Sequence, residues 1–133
     1  MDELDPALKF GVAANLAHYY TKEGRGLLSP LTRLLQEALG EEVEVHMAGG
    51  FFSKKELSGV SFTLGEWRYS LEDAGGDPKS GPLAAKRTRV VRGIALKTEE
   101  LPTDAWLEEV GLALEIEAQK NEATHAALSK WVW

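Results

Sequence analysis

Three arginines set closely together are the residues here whose type and spacing could do chemistry. Arg87, Arg89 and Arg92 lie in AAKRTRVVRGIALK, residues 84–97, which carries five bases and no acid. Guanidinium groups grip carboxylate and phosphate through two parallel hydrogen bonds, so three on one strand could hold an acidic protein surface or a nucleic acid. They could equally neutralise the chain's own carboxylates, and that is the plainer reading. Residues 79–98 hold six bases and no acid, whereas residues 1–78 hold seven bases against 13 acids and residues 99–133 two against eight. A cationic strand thus lies between two anionic flanks. Nucleic-acid binders usually join a basic domain to a recognised motif. This chain has a pI near 5.1 and neither a helix-turn-helix spacing nor an aromatic ribonucleoprotein run.

Other chemistry is thinly represented. Absence of cysteine rules out disulfides, thiolate metal sites and cysteine nucleophiles. His18, His46 and His125 are the only imidazoles, and none has the spacing of a metal site. His18 is expected half-buried beside Tyr19, and His46 solvated on a strand. GRGLLSP, residues 24–30, puts two glycines before a helix start but lacks the spacings of phosphate-binding loops, so a turn between helices is expected. Ser29, Ser53, Ser58 and Ser61 have no evident base nearby, and the paired glutamates have no pocket to raise one pKa. No catalytic residue, metal or cofactor is assigned, and the balance leans away from an enzyme.

Positioning any of these side chains falls to elements readable from periodicity. Asp5-Pro6 suits a helix start, and Leu8, Val12, Leu16, Tyr19 and Tyr20 recur at helical spacing up to Gly24. Ser29-Pro30 opens a second helix through Leu31, Leu34, Leu35, Ala38 and Leu39, stopped by Gly40, and the two could form a hairpin. Alternation then marks strands at Val43–Met47, at Val60–Leu64 and at Trp67–Leu71, the last two joined by Gly65-Glu66 as a type II′ turn. Phe51-Phe52 is an apolar pair on a connection, and residues 72–82, EDAGGDPKSGP, read as a flexible loop. The basic segment is the fourth strand, with a bulge at Val90-Val91 that turns Arg92 to the side of Arg87 and Arg89, so that all three share the exposed face. Pro102-Thr103 opens a long final helix, Thr103 capping it, with a break near Asn121 allowed for.

The expected architecture is one α+β domain over residues 1–133. It has two layers: a four-stranded antiparallel meander with two N-terminal helices and one long C-terminal helix on one face. Trp131 and Trp133 concentrate apolar area at the terminus, either completing the core or offering a sticky patch for a subunit or partner. The candidate binding residues are therefore Arg87, Arg89, Arg92, Trp131 and Trp133. No apolar run is long enough to span a bilayer, and Met1 to Asp5 lack a signal peptide's basic region, so a cytoplasmic protein without a membrane partner is expected. Few side-chain amides and no cysteine lean toward a heat-adapted composition. The function expected is an interaction or adaptor module that binds a protein partner or self-associates. Nucleic-acid binding along residues 86–97 is one alternative; a small-ligand or enzyme pocket walled by Tyr19, Trp67, Tyr69 and Trp106 is another.

Overall fold

A computed structural model describes residues 11–49, 54–74 and 82–130. The helix start at Asp5-Pro6, the Phe51-Phe52 pair, most of the loop after Glu72, and Trp131 and Trp133 lie outside the described residues. Within them the chain runs through helices α1 (Val12–Glu23) and α2 (Leu28–Leu39), strands β1 (Glu44–Ala48), β2 (Glu56–Leu64), β3 (Trp67–Asp73), β4 (Leu83–Val91) and β5 (Ile94–Leu101), then helices α3 (Thr103–Ala118) and α4 (Glu122–Lys130). The protein is α+β, with a five-stranded antiparallel sheet in the order β1-β2-β3-β4-β5. That is one strand more than the sequence predicts. No helix among the described residues is long and apolar enough to cross a membrane.

Period decides which side of the sheet is greasy. Val60, Phe62 and Leu64 of β2, Tyr69 and Leu71 of β3, and Leu83 and Ala85 of β4 are buried in one cluster with the helices. Alternate residues, among them Glu44, Thr63, Arg68, Ser70, Lys86 and Thr98, make the other side polar, as an antiparallel sheet tolerates. Leu31, Leu34, Leu35 and Ala38 bury one stripe of α2, and Trp106, Leu107, Val110 and Leu114 one stripe of α3.

The helices do not pair as a simple N-terminal hairpin. Each of the first two packs chiefly on one of the last two, α1 on α3 and α2 on α4. Gly111 permits the first crossing: a Cβ there would lie 2.5 Å from Ala13 Cα, closer than any side chain allows. Gly24 and Gly40, at φ 56° and 64°, end α1 and α2 where expected. Ser29 does not open α2, because a short 3-10 turn, Gly24–Leu27, feeds directly into it. Pro30 is tolerated there because first-turn amides have no intrahelical acceptor.

The long C-terminal helix is two helices. Asn121 Oδ1 accepts from the backbone amides of Ala123 at 2.9 Å and Thr124 at 3.2 Å, which starts α4 afresh after a turn at Gln119 and Lys120. Thr124 then donates to the Ala38 carbonyl at 2.8 Å, fixing α4 to the end of α2. Thr103 does not cap α3 with its hydroxyl. It donates instead to the Leu83 carbonyl at 3.1 Å, anchoring the helix start to β4.

Candidate functional site: the basic hairpin

The basic segment is a hairpin, not one long strand. Arg92 and Gly93 have φ of 54° and 80°, and two positive values in a two-residue connection define a type I′ turn. Val91 pairs Ile94 across it. A bulge does occur beside Val90, but on the partner strand: Arg89 faces Lys97 while Val90 faces Ala95, leaving Leu96 as the extra residue. Arg92 therefore sits on the turn and shares no face with the other two arginines. The type II′ turn predicted at Gly65-Glu66 is present, with positive φ at Gly65 alone.

Arg87 and Arg89 do share a side of the sheet, but it is the side the helices cover. Leu83, Ala85, Arg87 and Arg89 alternate along β4, and the first two are core. The predicted display of three arginines on the exposed polar face is thus overturned. The reason lies in which alternate is buried: Leu83 and Ala85 enter the core, whereas the apolar Ile94 and Leu96 are 63% and 60% exposed.

Arg87 has an enclosing set of partners. Its Nη1 donates to Glu109 on α3, its Nε to Glu99 on β5 at 3.3 Å, and its guanidinium carbon stands 4.5 Å from the centroid of the Trp67 ring. Tyr69, directly opposite on β3, donates its hydroxyl to the second oxygen of Glu109 at 2.9 Å. The hydrogen bond to Glu109 raises the Arg87 pKa above its usual value and so keeps it charged. Burial, with the Glu109 carboxylate beside it, pushes the Tyr69 phenol well up and holds it neutral. Beneath this cluster Phe62, Tyr69 and Trp106 meet at centroid distances of 5.6 to 6.1 Å, and the Trp106 indole donates to the Lys86 carbonyl at 3.0 Å. Of the aromatic residues proposed as pocket walls, Tyr69 and Trp106 pack on each other in the core, and Tyr19 and Trp67 are partly buried against it. Nearby, a hollow of about 360 Å³ is lined by Leu83, Lys86, Glu100 and Thr103, and the Thr103 hydroxyl is already committed to Leu83.

Arg89 pairs Glu66 of the β2–β3 turn at 3.1 Å, with its side chain 52% exposed. The carboxylates that meet Arg87 and Arg89 are Glu66, Glu99 and Glu109, while Asp73 bridges to Arg25. Glu109 was legible as a candidate, since it follows Trp106 by three positions and so shares its helix face. The register that brings Arg87 beneath it was not.

One pair escaped the sequence reading altogether. His46 Nε2 lies 2.9 Å from Ser61 Oγ across β1 and β2, while Ser58 donates to the His46 carbonyl at 3.1 Å. A serine beside a base can be a nucleophile, but Ser61 is 4% exposed in mid-strand and presents nothing to a substrate. These bonds fasten the short edge strand β1. His46 is therefore half-buried rather than solvated, and His18 is exposed rather than half-buried. Among the described residues no group of three His, Asp or Glu could hold a metal ion.

Compared with known proteins, the chain matches no family model, no curated protein and no solved structure.

Proposed function

We propose that this chain is a protein-interaction module whose docking surface is the free edge of β5 together with the end of the β4–β5 hairpin. One observation carries the reading: Ile94 to Thr98 and Glu100 are all exposed, on an eight-residue strand that ends the sheet among the described residues. Such an edge offers a row of backbone donors and acceptors to an incoming strand. Ile94 and Leu96 supply apolar area, and Arg89, Arg92 and Lys97 a positive rim, which suits an extended segment of mixed acidic and apolar residues. The opposite edge is a poorer dock, since β1 has five residues, a register shift at His46/Met47 and its own ties to β2.

Nucleic acid is the weaker occupant. Arg87 is held by Glu99 and Glu109, and the carboxylates of Glu66 and Glu100 stand among the cations that remain, which repels a phosphate backbone more than a segment that is partly apolar. The test sets an immobilised strand-forming peptide of alternating glutamate and valine against a heparin column, both at low salt. Retention on the peptide, lost when Ile94 and Leu96 are both replaced by serine, is expected, with flow-through on heparin. Retention on heparin without retention on the peptide would overturn the reading.

A further inference from the structure

Resting on that reading, we propose that the strand added to β5 is the β5 of a second copy, the two running antiparallel about a two-fold axis at Thr98. Alternation of backbone direction identifies which residues can bond outward. Leu64 and Trp67 close a two-residue turn and therefore exchange hydrogen bonds, so along β3 the backbone groups of Arg68 point the other way, at Thr88 of β4. Those of Arg87 and Arg89 then point at β5, Glu99 points back at Arg87, and Thr98 and Glu100 point out at the free edge. The 2.8 Å contact between the hydroxyls of Thr88 and Thr98 agrees, because non-bonded pairs bring side chains closest.

A two-fold axis perpendicular to the sheet keeps each face with its like, so one residue of β5 must lie opposite its own copy. The bulge and charge together select that residue: the extra residue at Leu96 breaks the regular ladder that an axis at Ala95 or Leu96 would need, and charge decides among the rest. Centring on Lys97, Glu99 or Glu100 sets like charges directly opposite each other, which is destabilising. Centring on Thr98 puts Lys97 opposite the second copy's Glu99 and Glu99 opposite its Lys97, with the two threonines facing and outward backbone groups meeting. Leu96 then lies opposite Glu100, covering apolar area now in water. Beyond the strands, the Arg92-Gly93 turn of each copy extends toward the exposed Asp104 in the first turn of the other's α3. Lys97 thus acts as a register key: it discourages other alignments and completes this one. Self-pairing joins two five-stranded sheets into one of ten strands and leaves each Arg87 in its present cluster.

The chain has no cysteine, so Thr98→Cys supplies a single probe at the axis. Directly opposed, bonded residues stand about 5.5 Å apart at Cα, within reach of a disulfide. Mild oxidation of the full chain is expected to give a covalent dimer from Thr98→Cys and none from Gly93→Cys at the turn. Lys97→Glu and Glu99→Lys should each weaken self-association roughly tenfold, by setting like charges opposite, and because Glu99→Lys also takes a carboxylate from Arg87, urea denaturation first shows that this variant is folded. Mixed together, the two variants should recover it as a heterodimer, since every facing pair is again opposite in sign. Light scattering of the unmodified chain from micromolar to millimolar concentration provides the reference. A chain that stays monomeric throughout but still binds the glutamate–valine peptide would overturn self-pairing while leaving the interaction reading intact; loss of both would end both. A dimer that neither links through residue 98 nor is rescued by the mixture would overturn the register and the edge together.

Discussion

Arg87 and Arg89 stand two residues apart on the same strand and the same side of the sheet, yet their settings differ. Arg87 lies under α3 with two carboxylates, an indole face and a phenol around it, and its side chain is 24% exposed. Arg89 is 52% exposed and, among the described residues, meets one carboxylate, that of Glu66 on the β2–β3 turn. Some 7 Å of strand separates an internal tie from a surface charge. Where a helix covers the strand, charge must be answered from within the chain, because an unanswered buried cation is costly. Where cover ends, the same residue type keeps its charge in water and is available to a partner.

Removing the answering carboxylate at each place is the sharpest way to break that comparison. Glu109→Ala leaves the Arg87 guanidinium and the Tyr69 hydroxyl with lost partners in a half-buried site, and should cost about 1–2 kcal/mol of stability. Glu66→Ala removes only an exposed partner of Arg89 and should change stability by less than about 0.5 kcal/mol. Urea denaturation of both variants checks the ratio. Equal losses would mean that α3 does not distinguish the two arginines.

A smaller effect at the covered end depends on pH. Tyr69 has its phenol pKa raised above the ordinary 10, first by burial and then by Glu109. Below about pH 10 folded and unfolded chains both keep that proton; above it the unfolded chain loses its proton first, so the folded state loses stability as pH climbs. Tyr69→Phe should cost about 1 kcal/mol at neutral pH and flatten this alkaline decline. Denaturant midpoints at about pH 8 and pH 11 give the comparison. Parallel declines in the two proteins would separate Tyr69 from the alkaline behaviour.

What could be read from the sequence follows the same division. Gly65 announced its turn because a single glycine at the first central position has a known geometry, and the core stripe of α2 followed from spacing alone. The turn at Arg92-Gly93 was missed because arginine is a poor occupant of a left-handed position, so the apolar alternates on either side read as one strand. That error carried into the site. Three arginines read as one exposed face put Arg87 in water, although Leu83 and Ala85 share its alternation and are the residues that enter the core. The carboxylates of Glu99 and Glu109 are 12 and 22 residues away along the chain, and no local pattern ties them to Arg87.

The least costly change tests the exposed end by itself. Arg92 holds φ at 54°, where an L side chain other than Asn or Gly pays about 1 kcal/mol, and Asn-Gly is the preferred occupant of a type I′ turn. Arg92→Asn should therefore stabilise the protein by about 0.5 kcal/mol, a rise of roughly 2 °C in Tm. Lys97 and the outward backbone of Thr98 stay in place, so Thr98→Cys cross-linking in the Arg92→Asn background should proceed as before. A fall in Tm would show that the Arg92 side chain returns more than the strain its backbone carries, and would draw the turn into the same self-satisfied network as Arg87. A gain in Tm with unchanged cross-linking would instead keep the two ends of β4 distinct, one held by internal partners and the other shaped by its turn and open to a second strand.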